Sequence, residues 1–229
     1  MKIGFTGIEL PEGKIKFKNE RMDGLVEKDH PKKVSPFYAE LIRDELMQAE
    51  AIVVHESSLI DLLIEDIEKC EARIERSEDE DEKRLMEKCL THMEDEVPLC
   101  DGDFTDAEKE ELRKFGLLSF KPVVIVEDAS DENTVIRRAL NKAGVIFFYT
   151  SGPKEVHAWP VLEGTDILTC AGKIHTDLAR GFIKGDVVGY EDYLKCHNFN
   201  DGRKKGLVKV VDRDHIIEDG DVIEIRFNV

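Results

Sequence analysis

The chain has 229 residues, 41% apolar and 36% charged, with a formal net charge of −17. That length allows one large domain or two small ones, each burying its own core, and no apolar run approaches the ~20 residues of a membrane span. So acidic a chain excludes non-specific binding of nucleic acid over its whole surface. The acid is uneven: residues 57–119 hold 21 Asp and Glu against 9 Lys and Arg, whereas residues 144–229 hold 14 against 11. Lys2 runs directly into a strand-like segment, so no signal peptide is expected, and the five cysteines (Cys70, Cys89, Cys100, Cys170, Cys196) lack any CxxC pair. A cytoplasmic protein with reduced, mostly buried thiols is the expectation.

Residues 1–6 fit a short strand that turns at Gly7, and the alternation in KIKFK (14–18) fits a second. A polar stretch follows, then a run that reads as helix from Pro36 to about Ala49. AIVVH (51–55) is a β-branched run of the buried-strand type. From Ser58 to Val97 the period becomes helical: Leu63, Ile67, Cys70 and Ile74 form one seam, and Met86, Leu90, Met93 and Val97 another. SEDEDE (77–82) lies between them as a turn, which makes an acidic antiparallel hairpin over about 57–97. Thr105 and Glu108 form a capping box for a further helix, with Gly116 as its end signal. PVVIVED (122–128) reads as a second buried strand and 133–143 as a short amphipathic helix.

Beyond Gly144 strands dominate. VIFFYT (145–150) and EVHAWPV (155–161) flank a Ser-Gly-Pro turn, and TDLARGF (176–182) is a short helix. LVKVV (207–211) and HII (215–217) precede a last strand in which Ile223, Ile225, Phe227 and Val229 share one face. Strands around one helix suggest a β-grasp. The boundary falls between an α/β domain, 1–143, and this second domain, 144–229.

Several of these segments, in order, resemble the YchF-like GTPases/ATPases. MKIGFTG (1–7) looks like that family's first strand and the entry to its phosphate-binding loop, and RMDGLVEKDHPKKVSP (21–36) is similar to the segment before its third strand. The acidic hairpin is similar to its coiled-coil insertion. FTDAEKEELRKFGLLSFKPVVIVED (104–128) resembles the exit from that insertion together with the base-recognition strand. AGKIHTDLARGFIKGDVV (171–188) is the most specific element, and with EDGDVIEIRFNV (218–229) it resembles the family's C-terminal TGS-type domain. The resemblance implies a mixed α/β plus α+β architecture: a reduced P-loop-NTPase-like sheet with a helical-hairpin (coiled-coil) insertion, followed by a TGS β-grasp.

The departures concern nucleotide chemistry. A P-loop spaces its glycines by four residues before Lys and a hydroxyl residue. Here Gly7 and Gly13 are five apart, Lys14 is followed by Ile15, and Glu9, Pro11 and Glu12 occupy the loop. Pro11 has no N–H to offer a phosphate. No second-switch Asp-x-x-Gly lies between Pro36 and Ile42, and the base-reading position falls at Asp128-x-x-Asp131, where Asp128 lacks an amide. The expectation is therefore a protein that is not an enzyme, that hydrolyses no nucleotide and needs no cofactor. Its partner would be the ribosome, RNA or a translation-related protein, as the resemblance implies. Lys173, His175, Arg180, Lys184, Arg203, Lys204 and Lys205 are the candidate contact residues. Thr176 or Asp177 would cap the short helix beside His175, and no metal-ligand spacing is present. Two alternatives stay open. One is a divergent protein holding GTP or ATP weakly through Gly7, Gly13, Lys14, Asp128 and Asp131; the other is a small-molecule sensor acting through the TGS-like domain. Homodimerisation through an open sheet edge is a further expectation.

Overall fold

The computed structural model describes residues 1–128 and 131–228, and the chain divides into two compact units. Unit 1 is Met1–Ile15 with Tyr38–Ala143, and unit 2 is Lys16–Phe37 with Gly144–Val229. Residues 16–37, assigned to the first domain on sequence, thus pack with the C-terminal segment.

Unit 1 is built on a five-stranded sheet in the order β2-β4-β1-β5-β6. Its strands are β1 (Lys2–Thr6), β2 (Gly13–Lys16), β4 (Tyr38–Arg43), β5 (Ala51–His55) and β6 (Val123–Val126). β1 runs parallel to both β4 and β5, and β5 parallel to β6. Ala51–Val54 are all buried, as expected of a strand covered on both faces. One cover is helix α5 (Glu132–Lys142), which is capped by Asp131 and buries Val135, Ile136, Ala139 and Leu140. The other is the helical hairpin α2 (Leu59–Arg76) and α3 (Glu80–Glu94), whose seam of Leu63, Cys70, Met86, Cys89 and Met93 joins Ile52, Val54 and Val123 in one core.

The hairpin is fastened by a buried charge. Asp66 on α2 has no exposed surface, yet it accepts the N–H of Leu118 at 3.0 Å, the N–H of Ser119 at 2.7 Å and the Ser119 hydroxyl at 2.7 Å. Lys69 pairs with it at 3.0 Å. A fully buried carboxylate is tolerated only when so completely satisfied. The connector between the helices is shorter than SEDEDE suggests: Asp79 caps α3, and Glu80, Asp81 and Glu82 form its first turn, where negative charge favours the helix dipole. Helix α4 (Asp106–Leu112) begins with the expected reciprocal capping box of Thr105 and Glu108.

The helix expected over Pro36–Ala49 is instead β4 followed by a single 3-10 turn, Leu46–Gln48. Ala39 and Leu41 are wholly buried while Tyr38 faces solvent, a period of two that parallel pairing to β1 selects. Lys121 Nζ donates to the carbonyls of Leu46, Met47 and Ala49 at 2.7–2.9 Å, so these groups are satisfied without a continuing helix.

Unit 2 has a six-stranded sheet in the order β10-β9-β11-β7-β8-β3. Its strands are β3 (Lys33–Ser35), β7 (Val145–Ser151), β8 (Glu155–Leu162), β9 (Phe182–Gly189), β10 (Lys209–Val211) and β11 (Asp221–Phe227). β7 and β8 form an antiparallel hairpin, β11 pairs parallel to β7 and antiparallel to β9, β10 is antiparallel to β9, and β3 adds to β8 in parallel. Helix α6 (Ile167–Ile174), capped by Asp166, was not foreseen; Ile167 and Cys170 fill the core on one sheet face with Phe148, Val187 and Ile223. The short α7 (Thr176–Arg180) follows it. Helices α1 (Glu20–Asp29), α8 (Tyr190–Leu194) and α9 (Phe199–Lys204) complete the unit. α1 hides in sequence because it buries only Met22 and Leu25, and its start is set by Asn19, which accepts the Met22 N–H. The HII segment before the last strand contributes an isolated bridge between Ile216 and Asp166, and Val229 lies outside the described residues.

Replacing Asp66 with Ala should leave the Leu118 and Ser119 donors unpaired in the core. We expect a loss of about 3–5 kcal/mol in urea unfolding, whereas Asp95→Ala on the exposed end of the hairpin should change stability by less than about 0.5 kcal/mol.

Candidate functional site

In sheets of parallel strands, ligands bind beyond the carboxyl ends of the strands. In unit 1 that edge is formed by Thr6 at the end of β1 with Gly7 after it, His55 at the end of β5, and Glu127-Asp128 after β6. Gly7 has φ +71°, and a Cβ placed there would lie 2.3 Å from Ser58 Oγ and 3.3 Å from His55 Cβ. Both the left-handed backbone and the close approach therefore require glycine. His55 Nδ1 accepts the Ser57 N–H at 3.2 Å and lies 2.7 Å from its hydroxyl, while Nε2 lies 3.0 Å from the Glu127 carbonyl. A nitrogen that accepts from a backbone N–H carries no proton, so Nε2 carries it and donates to Glu127. The ring thereby ties the ends of β5 and β6 together.

Beyond Gly7 the chain crosses to an edge strand. Residues Ile8–Glu12 lead into β2, so no helix N-terminus follows β1 to cradle phosphates. Lys14 is exposed on β2, two strands from β1 and hence roughly 10 Å away across the sheet. Gly13 adopts φ +101° with open space around it. Arg43, at the end of β4, forms ion pairs with Glu9 at 3.0 Å and Glu12 at 3.2 Å. The loop carboxylates that sequence reasoning treated as an obstacle to phosphate thus already have a cation, which that reasoning missed. Asp128 is exposed just past β6, and Asp131 caps α5 by accepting from Asn133 and Thr134. The structure brings Gly7 together with His55, Ser57 and Ser58, but it does not bring Lys14 to Gly7.

The candidate contact residues of unit 2 separate into two groups. Lys173 on α6 and Arg180 on α7 are exposed, and Arg180 pairs with Asp177 at 2.9 Å. Between them His175 caps α7, its Nδ1 accepting the Asp177 N–H at 3.1 Å; the cap is His175 rather than Thr176 or Asp177. Lys184, Arg203 and Lys205 are committed to partners. Lys184 pairs with Asp212 and Lys205 with Asp201, while Arg203 forks onto Asp186 with a second contact to Glu224 at 2.6 Å. Lys204 remains exposed. Asp186 and Val187 are neighbours on β9 and therefore point to opposite faces. Arg203 meets Asp186 on one face while α6 packs against Val187 on the other, so the seven residues do not form one patch.

Asp186 is the main electrostatic feature of this sheet. It is fully buried and accepts four N–H bonds, from Arg203 at 2.7 and 3.3 Å and from Arg226 at 2.6 and 2.7 Å. Burial alone would raise its pKa, but the two guanidinium groups outweigh that and hold it below the ordinary 3.8. No group of three or more His, Cys, Asp or Glu among the described residues could hold a metal, and all five cysteines are free.

Residues 145–228 match the YchF-GTPase_C family, described as a protein of unknown function (DUF933). The chain is 34% identical over 133 residues to a ribosome-binding ATPase YchF of Haemophilus ducreyi, covering 58% of this chain and 36% of that one. It is 43% identical over 82 residues to an Obg-like ATPase 1 of Pongo abelii, 36% of this chain and 21% of the relative. Against a ribosome-binding ATPase YchF of Escherichia coli O157:H7 it is 24% identical over 233 residues, covering 74% and 64%. The matched stretch is thus about a third of the length of the first of these relatives. The structure of a Schizosaccharomyces pombe YchF GTPase superposes with a TM-score of 0.82 over 99% of this chain and 97% of that one, at 18% identity, and so shares the fold. These findings bear out the resemblance read from sequence. They overturn the expectation of a protein that is no enzyme, because the relatives aligned with it are named ATPases.

The depressed pKa of Asp186 makes a signed prediction. With the folded value below the unfolded one, its contribution is present in full above the unfolded pKa and is lost as pH falls through the folded pKa. Asp186→Asn should be less stable than the unaltered protein at neutral pH, and the gap should close as pH falls from about 5 towards about 2. Urea midpoints across that range measure it.

Proposed function

We propose, since the chain belongs to the YchF-like family, that it is a ribosome-associated nucleotide-binding protein, working in the cytoplasm where ribosomes are. Unit 2 is the ribosome-docking module, and the carboxyl edge of the unit 1 sheet is the nucleotide seat. The observation that carries this is the match of residues 145–228 to the family's C-terminal domain, together with 34% identity to a relative named a ribosome-binding ATPase. The strand order and directions of unit 2, with β11 parallel to β7 at the centre and α6 on one face, support reading it as a TGS-type β-grasp. The α2–α3 hairpin is the counterpart of the family's coiled-coil insertion. Of the candidate cations Lys173, Arg180, Lys204 and Lys205 are exposed, and Lys173 and Lys204 have no ion-pair partner among the described residues.

At the nucleotide seat, Gly7 lets the backbone turn close beneath a ligand, and the Ser57 and Ser58 hydroxyls lie at the same strand ends. Arg43 supplies the cation. The carboxylates it pairs with, Glu9 and Glu12, are solvent-exposed, and ion pairs to exposed groups contribute little, so a phosphate can take their place at little cost. Asp128 and Asp131 flank the far side of the edge, after β6.

Sedimentation through a sucrose cushion tests the docking. The protein should pellet with ribosomes at moderate salt, and K173E combined with R180E should reduce the pelleted fraction several-fold because rim charges govern association. A protein that stays in the supernatant under all nucleotide and salt conditions contradicts the proposal.

A further inference from the structure

A second charged place in unit 1 lies away from the strand ends. Along α2, Lys69, Arg73 and Arg76 recur at intervals of four and three residues, which puts them on one helix face. That face and Lys114, in the turn after α4, line a cleft of about 310 Å³ floored by Met86 and the Phe115 ring. Arg73 lies 4.8 Å from the centroid of that ring, an arrangement that holds its guanidinium over the cleft. No carboxylate lines the cleft, although residues 57–119 carry more than two acids for every base. Four cations converging in so acidic a segment run against its average charge.

The carboxylates nearby sit behind the cations. Asp66 pairs with Lys69 but spends its own oxygens on Leu118 and Ser119. Glu82 pairs with Arg73, and Glu111 with Lys114 at 2.6 Å. Arg76 is exposed and has no ion-pair partner among the described residues. The Lys114–Glu111 pair is solvent-exposed and exchanges readily for phosphate, which accepts several charge-assisted bonds at once. The cleft is large enough for a short chain of phosphates and too confined for a folded partner.

We propose that this cleft binds a small ligand bearing two or more linked phosphate groups, through Lys69, Arg73, Arg76 and Lys114. The site is separate from the nucleotide seat, and neither depends on the other. Tripolyphosphate is the probe, titrated calorimetrically into the whole chain at low salt, with a twelve-nucleotide single-stranded RNA titrated in parallel. The expected result is saturable tripolyphosphate binding that weakens at least about tenfold in R76A/K114A and is unchanged in the control K83A/R84A, whose cations lie elsewhere on the hairpin. Both double variants alter side chains outside the core, and matching urea midpoints establish that they fold. Absence of binding, or binding that R76A/K114A leaves intact, overturns the proposal. So does RNA binding at least tenfold tighter than tripolyphosphate and lost in the same variant, which would assign the cleft to a nucleic-acid backbone.

Discussion

Each unit of this protein is organised around one aspartate that has no contact with water. Asp66 joins the helical hairpin to the segment entering β6, and Asp186 joins β9 to β11 and α9. The constraint is the same in both places: a buried carboxylate must have its oxygens filled, or it destabilises the fold by more than any single apolar contact contributes. Asp66 meets it mainly with backbone N–H groups and Asp186 with two guanidinium forks. The two solutions have different consequences. Backbone donors fix the chain path of Leu118 and Ser119, whereas Arg203 and Arg226 are drawn out of the pool of surface cations.

That withdrawal explains why counting basic residues overstates the positive surface of unit 2. Arg203, Lys184 and Lys205 each have an acidic partner, as Arg180 has in Asp177, so fewer cations are left for docking than their number suggests. The converse holds in unit 1. There the overall charge is strongly negative, yet α2 and the turn after α4 gather four cations around one cleft. Net charge describes neither surface; the geometry of pairing does. At the strand ends the same logic applies to Glu9 and Glu12. They are counter-charges to Arg43 rather than bare obstacles, which reconciles an acidic loop with kinship to proteins named as ATPases.

Much of the architecture was legible wherever the signal was local. The capping box of Thr105 and Glu108, the two hairpin seams and the AIVVH strand each rest on residues within one element. The failures share a different cause. Tyr38–Arg43 became a strand because β1 offers it a parallel neighbour, which no local pattern encodes. Helix α1 escaped notice because it buries only two residues, and α6 because its apolar content blends into the flanking strands. The boundary at residue 143 missed that residues 16–37 return to the second unit, a long-range contact. The role of His55 as a tie between strand ends was equally invisible, since its partner is the backbone carbonyl of Glu127. Periodicity could show Lys69, Arg73 and Arg76 on one face of α2, but not that Lys114 would close the cleft.

The claim with most at stake is that a nucleotide binds at the carboxyl edge of a sheet whose first strand is followed by another strand instead of a helix. Calorimetric titration of ATP and of GTP, each with Mg²⁺, tests it most directly when run on the unaltered protein and on Arg43→Ala. The account predicts saturable binding of one nucleotide that Arg43→Ala weakens at least about tenfold and that R76A/K114A leaves unchanged. Absence of heat at millimolar nucleotide, or binding indifferent to Arg43, would contradict it.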